Sequence, residues 1–101
     1  MRLDIYSDPG HGWCAVPLVW LVRLSLLDKI TTYSYIRGRF AYLEEDCDFS
    51  TFLAAAKDAG IALTFRERVC GDRYSRIRGY DYYTAARARA ALADVMEGVA
   101  A

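Results

Sequence analysis

A chain of 101 residues, 54% hydrophobic and 26% charged, has the size and balance of one globular domain with a modest core, which excludes a disordered polymer. Its 13 basic and 13 acidic residues cancel to a net charge of zero, so binding to polyanions by bulk charge is excluded and any nucleic-acid contact has to be local. Cys14, Cys47 and Cys70 are odd in number and widely spaced, Asp4 stands where a signal peptide needs an apolar run, and the apolar stretch from Cys14 to Val22 is too short to span a bilayer. The expectations are reduced thiols, a cytoplasmic location and no membrane partner.

In chain order, Arg2 to Tyr6 alternates polar with apolar residues and predicts a first strand. Asp8-Pro9-Gly10-His11-Gly12 reads as a loop. Pro17 suits the first turn of a helix that continues from Leu18 to Leu27. That helix is apolar on almost every side, which predicts deep burial or an oligomer interface. Thr31 to Ile36 is rich in β-branched and aromatic residues and predicts a second strand, with Arg37-Gly38 as the turn and Phe40 to Glu44 as a third strand. A two-residue turn there sets Ile36 opposite Arg39, Tyr35 opposite Phe40 and Tyr33 opposite Tyr42. The four aromatics then share one face, and small Ser34 and Ala41 share the other.

Asp46 or Asp48 caps the next helix, whose stripe is Phe49, Phe52, Leu53 and Ala56, and Gly60 ends it. Ile61, Leu63 and Phe65 alternate with Ala62, Thr64 and Arg66 as a fourth strand. Gly71 to Tyr83 reads as loop. Thr84 caps a last helix from Ala85 to Val99, striped by Ala88, Leu92, Val95, Met96 and Val99. The order β-α-β-β-α-β predicts an α+β, ferredoxin-like fold: a four-stranded antiparallel sheet with two helices on one face. This domain takes residues 1–83, and residues 84–101 form a C-terminal helical extension.

Three constellations bear on chemistry. His11 lies three residues before Cys14, which admits a base beside a nucleophile, or a zinc site completed by Cys47 and Cys70. The spacing lacks paired ligands, so the preferred reading is a tight loop anchored by Trp13, with Cys14 as a small buried hydrophobe. No catalytic residue, metal or cofactor is expected. Glu44, Glu45, Asp46 and Asp48 supply oxygen ligands for a divalent cation but lack EF-hand spacing. They read as a helix cap within a solvated acidic patch, able to meet a basic partner or the basic stretch of a second copy.

Arg66, Arg68, Arg73, Tyr74, Arg76, Arg78 and Tyr80 form an arginine–tyrosine tract, in which arginine suits phosphate and tyrosine stacks on bases. Arg37-Gly38-Arg39-Phe40-Ala41-Tyr42-Leu43 partly resembles the RNP1 signature of RRM domains, with Arg39 as an extra residue and Asp4 where an aromatic belongs. For Tyr33, Tyr35, Phe40 and Tyr42 two placements stand: a core beneath the helices, which is preferred, or an open face available for stacking.

The blocks Asp8-Pro9-Gly10-His11-Gly12-Trp13, Tyr33-Ser34-Tyr35, Ala41 to Asp48 and Ser75-Arg76-Ile77-Arg78 with Tyr80 resemble a set of small phage and prophage proteins over residues 3–83. The resemblance implies a phage origin and a host-cell cytoplasm, and it transfers no catalytic residue. The function expected is a non-enzymatic protein that binds a host or phage protein through the acidic patch and the arginine–tyrosine surface. The alternative is single-stranded nucleic-acid binding by the hairpin aromatics and the same tract. A homodimer through the apolar first helix or an open sheet face also stays open.

Overall fold

The computed structural model describes residues 1–69 and 74–100. The expected alternation of Leu3 and Ile5 with Asp4 and Tyr6 produces β1 (Arg2–Ser7). After a turn at residues 8–11 the chain does not stay a loop. It enters β2 (Gly12–Pro17), antiparallel to β1, with Tyr6 opposite Trp13 and Ile5 opposite Cys14. Cys14 and Val16 lie in the core beneath the helices, while Trp13 and Ala15 on the other face are buried as well. A strand covered on both sides is apolar throughout and carries no alternation.

Helix α1 (Leu18–Arg23) is shorter than the apolar run suggests. Ser25 adopts a φ of 58°, and the N–H of Leu26 turns back to the carbonyl of Leu21, so the chain leaves the helix. Leu18 and Leu21 are buried, but Val19 and Val22 stay 45% and 49% exposed.

β3 (Tyr35–Arg37) and β4 (Phe40–Glu44) form a hairpin. Its turn is Gly38-Arg39, one residue later than expected, because Gly38 supplies a left-handed φ of 59°. Tyr35 therefore faces Tyr42, and Arg37 faces Phe40. The slip preserves the faces. Ile36, Ala41 and Leu43 enter the core, so Tyr35, Phe40 and Tyr42 point away from the helices. The preferred placement of these aromatics beneath the helices is thereby corrected. Tyr33 precedes the strand and is 73% exposed.

α2 (Asp48–Asp58) buries Phe52 and Ala56. β5 (Thr64–Val69) begins later than the alternation from Ile61 implies and runs parallel to β1, with Leu3 opposite Phe65. A 3-10 turn at Arg76–Gly79 precedes β6 (Asp81–Tyr82), which sets Tyr82 opposite Tyr35. α3 (Ala85–Ala100) starts as expected at Thr84, whose Oγ1 accepts the Arg87 N–H at 3.0 Å. Ala88 of α3 is fully buried in the same core, with Ala91 and Leu92 against it.

The result is an α+β fold with a six-stranded mixed sheet in the order β5-β1-β2-β4-β3-β6. It is not the expected four-stranded antiparallel ferredoxin-like sheet. The unforeseen β2 lies between β1 and β4, and β5 closes one edge in parallel. No helix among the described residues is long and apolar enough to cross a membrane.

One residue of the acidic stretch belongs to this framework. Asp48, fully buried, accepts hydrogen bonds from Thr31 N at 3.1 and 3.2 Å, from Thr31 Oγ1 at 2.8 Å and from Ser34 Oγ. Ser34 Oγ in turn accepts the Glu44 N–H at 2.9 Å. Asp48 is therefore withdrawn from the expected surface patch, because its place at the start of α2 turns it toward the preceding loop. Replacing Asp48 by Ala leaves several buried donors unsatisfied and is expected to cost about 3 kcal/mol. Asp46→Ala, on the surface, should stay within about 0.5 kcal/mol of the parent. Urea unfolding of the two variants checks the contrast.

Candidate functional site

On the sheet face away from the helices, alternation brings together Asp4, Tyr6, Trp13, Tyr35, Tyr42, Arg66, Arg68 and Tyr82. This face is not open. Residues 74–80 cross it as a strap, with Ile77 only 2% exposed. Tyr80 packs on Tyr42 at 5.1 Å between ring centroids, and the Arg37 guanidinium lies 5.0 Å from the Tyr80 ring.

Asp8 fastens the strap. Its side chain is fully buried. Oδ1 accepts the N–H groups of Gly10 and His11 at 3.1 and 3.0 Å, which is the local logic of an Asp-Pro-Gly turn. Oδ2 accepts the Ser75 N–H at 2.9 Å, and Arg78 donates to both oxygens at 2.7 and 2.8 Å. The Arg78 guanidinium, followed by these backbone donors, holds the Asp8 carboxyl far below its ordinary value and raises Arg78 in return.

Arg78 Nη2 also lies 3.0 Å from His11 Nδ1. A guanidinium only donates, so Nδ1 is the acceptor and the ring proton sits on Nε2. His11 stacks on Trp13 at 5.8 Å, and Arg78 lies 4.5 Å from the Tyr74 ring.

Two concavities flank the strap. The first, about 450 Å³, has aromatic walls from Trp13, Tyr33, Tyr35 and Tyr82, and its lining is completed by His11, Arg78, Glu44, Asp46 and Cys47. Tyr35 and Tyr82 stack at 5.5 Å, and Trp13 meets Tyr35 edge-on at 6.2 Å. Trp13 is 2% exposed, and its indole N–H has no acceptor among the described residues. The second, about 700 Å³, gathers Tyr6, Tyr42, Tyr74 and Tyr80 around Arg68 and Arg76.

The sequence candidates separate accordingly. Arg66 is bound bidentately to Asp4 at 3.0 and 3.1 Å, and Arg68 reaches the same carboxylate at 3.7 Å. Arg78 is engaged by Asp8. Arg76 is exposed and makes no ion pair among the described residues. Arg73 and Cys70 lie outside the described residues. Tyr74 is 75% exposed, Glu44 is half-buried, and Glu45 and Asp46 are exposed. Phe40, at the start of β4, lies at the end of the sheet, with Ala15 and Tyr42 on the outer face and Pro17 and Leu92 beyond the edge, apart from both concavities.

His11 and Cys14 do not form a pair. Cys14 points into the core, where burial and the Asp4 charge push its thiol up to about 12. Among the described residues no three His, Cys, Asp or Glu side chains are grouped to hold a metal ion. Asp8 and Tyr82 belong to this arrangement without having been site candidates, and Trp13, expected only as an anchor of the loop, also walls the first concavity. The Asp-Pro-Gly turn was the only local sign of Asp8, and Tyr82 gave none.

No protein-family model matches the sequence, and neither curated proteins nor solved structures give a significant match. The function has to be argued from the site itself.

Asp8 yields a pH-dependent prediction. A carboxyl depressed in the folded state contributes its stability above its ordinary value of 3.8 and loses it as pH falls toward the lower folded value. Asp8→Asn is expected to lower Tm by about 10 °C at pH 7, and the gap between variant and parent should narrow below about pH 4. Thermal unfolding at a series of pH values reads both effects.

Proposed function

We propose that this chain is a non-enzymatic binding protein of the small phage type. It docks a host or phage protein through the acidic–aromatic concavity and the strap beside it, in a host-cell cytoplasm. One observation carries the reading. The glycine–histidine loop, the aromatic hairpin, the acidic stretch and the arginine tract each contribute to the same 450 Å³ hollow. Tyrosine, tryptophan and arginine are the side chains that anchor protein interfaces, and a central pocket with a polar rim is where such anchors act. Tyr33 and Tyr82, 73% and 60% exposed, offer large rings that a partner can cover.

Single-strand nucleic-acid binding is the second reading, favoured by the 700 Å³ concavity with its four tyrosines beside Arg68 and Arg76. Two facts weigh against it. Tyr42 is already packed between Tyr6 and Tyr80, and Asp4 places a carboxylate beside Arg68.

A benzophenone amino acid at position 33 is expected to crosslink a discrete protein in bacterial host lysate, and the same probe at Lys57 on the exposed side of α2 should not. Equal adducts from both positions, or none from position 33, count against protein docking at the hollow. For the second reading, affinity for a fluorescent single strand should fall steeply with salt, and Arg68→Ala with Arg76→Ala should reduce that slope by about 1.4. Salt-insensitive or undetectable binding removes it.

A further inference from the structure

We infer that the 450 Å³ hollow is a socket for an arginine side chain of the partner protein. The inference rests on the binding-protein reading and names the chemistry that the partner must present.

Charge selects the sign of the occupant. Glu44 and Asp46 make no ion pair among the described residues. Arg78, the one arginine lining the hollow among the described residues, is matched by the buried Asp8 carboxylate through two hydrogen bonds. His11 Nδ1 lies 3.0 Å from the Arg78 guanidinium, on the same clamp. The described lining is therefore net negative, which draws in cations and repels phosphates and carboxylates. The thiol of Cys47, at the same rim, is raised first by the charge of Asp48 and further by burial and Glu44, as such a field requires.

Shape selects the kind of cation. Tyr33, Tyr35 and Tyr82 offer ring faces and edges within the hollow, and the negative face of an aromatic ring attracts a cation. This chain already seats guanidinium groups on such rings: Arg78 on Tyr74 at 4.5 Å, Arg37 on Tyr80 at 5.0 Å and Arg23 on Trp20 at 4.9 Å. A planar guanidinium can stack on a ring while its edge donates in parallel to a carboxylate, which a strongly hydrated ammonium cannot do.

The test uses the whole chain, labelled for NMR, and Nα-acetyl-arginine N-methylamide as the probe. Saturable shifts are expected at the Trp13 indole, at Tyr33 and across residues 44–47. The citrulline analogue, isosteric but neutral, should bind about tenfold more weakly or not at all, and Glu44→Gln with Asp46→Asn should weaken the arginine probe by a similar factor. Tyr33→Ala, at an exposed position that leaves the fold intact, should weaken it severalfold. Equal shifts with citrulline, equal affinity for the lysine analogue, or no response to arginine each overturn the assignment. A partner crosslinked at position 33 without an arginine response sinks the socket and leaves the binding-protein reading. An arginine response with no crosslinked partner does the reverse.

Discussion

The outer face of this protein depends on one buried carboxylate. A charged group in the interior is tolerated only when its lone pairs are matched, and an unmatched one costs several kcal/mol. Asp8 meets that condition with three backbone N–H groups and a bidentate arginine. Two of the N–H groups are local, but Ser75 and Arg78 lie at the far end of the sequence. Satisfying Asp8 therefore forces residues 74–80 across the sheet. The covering of Trp13, the burial of Ile77 and the separation of two concavities follow from that requirement. Asp48 plays a parallel part in the core, where it ties the loop before β3 to the start of α2.

The two carboxylates differ in what they leave behind. Asp8 is neutralised by a cation, whereas the donors that Asp48 receives from Thr31 and Ser34 are neutral. The charge of Asp48 is thus screened by hydrogen bonds and not cancelled, and Cys47 next to it feels it. A net charge of zero over the whole chain conceals this arrangement. Positive groups on the sheet face are drawn inward by Asp4 and Asp8, while the acids at the end of β4 stay unpaired among the described residues.

How much was legible follows from the kind of signal each element carries. β1, β4, α2 and α3 each have one buried side and one solvated side, so their periods, together with Thr84 and Gly60, were readable. β2 is buried on both sides and has no period. Missing that one strand misplaced the whole topology, because β2 is what separates β1 from β4. The site was legible as a set of residue types and illegible as a set of pairs. Asp8 meets Arg78 across 70 positions, and Asp4 meets Arg66 across 62. Nothing local distinguishes Arg78, clamped, from Arg76, exposed, or Asp48, buried, from Asp46 at the rim.

The same pairing determines what the hollow presents to the ligand proposed for it. Were Arg78 free to swing toward Glu44 or Asp46, the hollow would neutralise itself and its aromatic walls would face a salt bridge. Leaving Asp8 would strand a buried carboxylate, and that penalty exceeds what a half-exposed ion pair at the rim returns. Arg78 stays where it is, the acids stay uncommitted, and the stacked rings of Tyr35 and Tyr82 are held by β3 and β6 before any partner arrives. In the docking proposed for this hollow, little reorganisation is required of the protein, and the strength of the contact is set by how well the incoming group matches a site already formed.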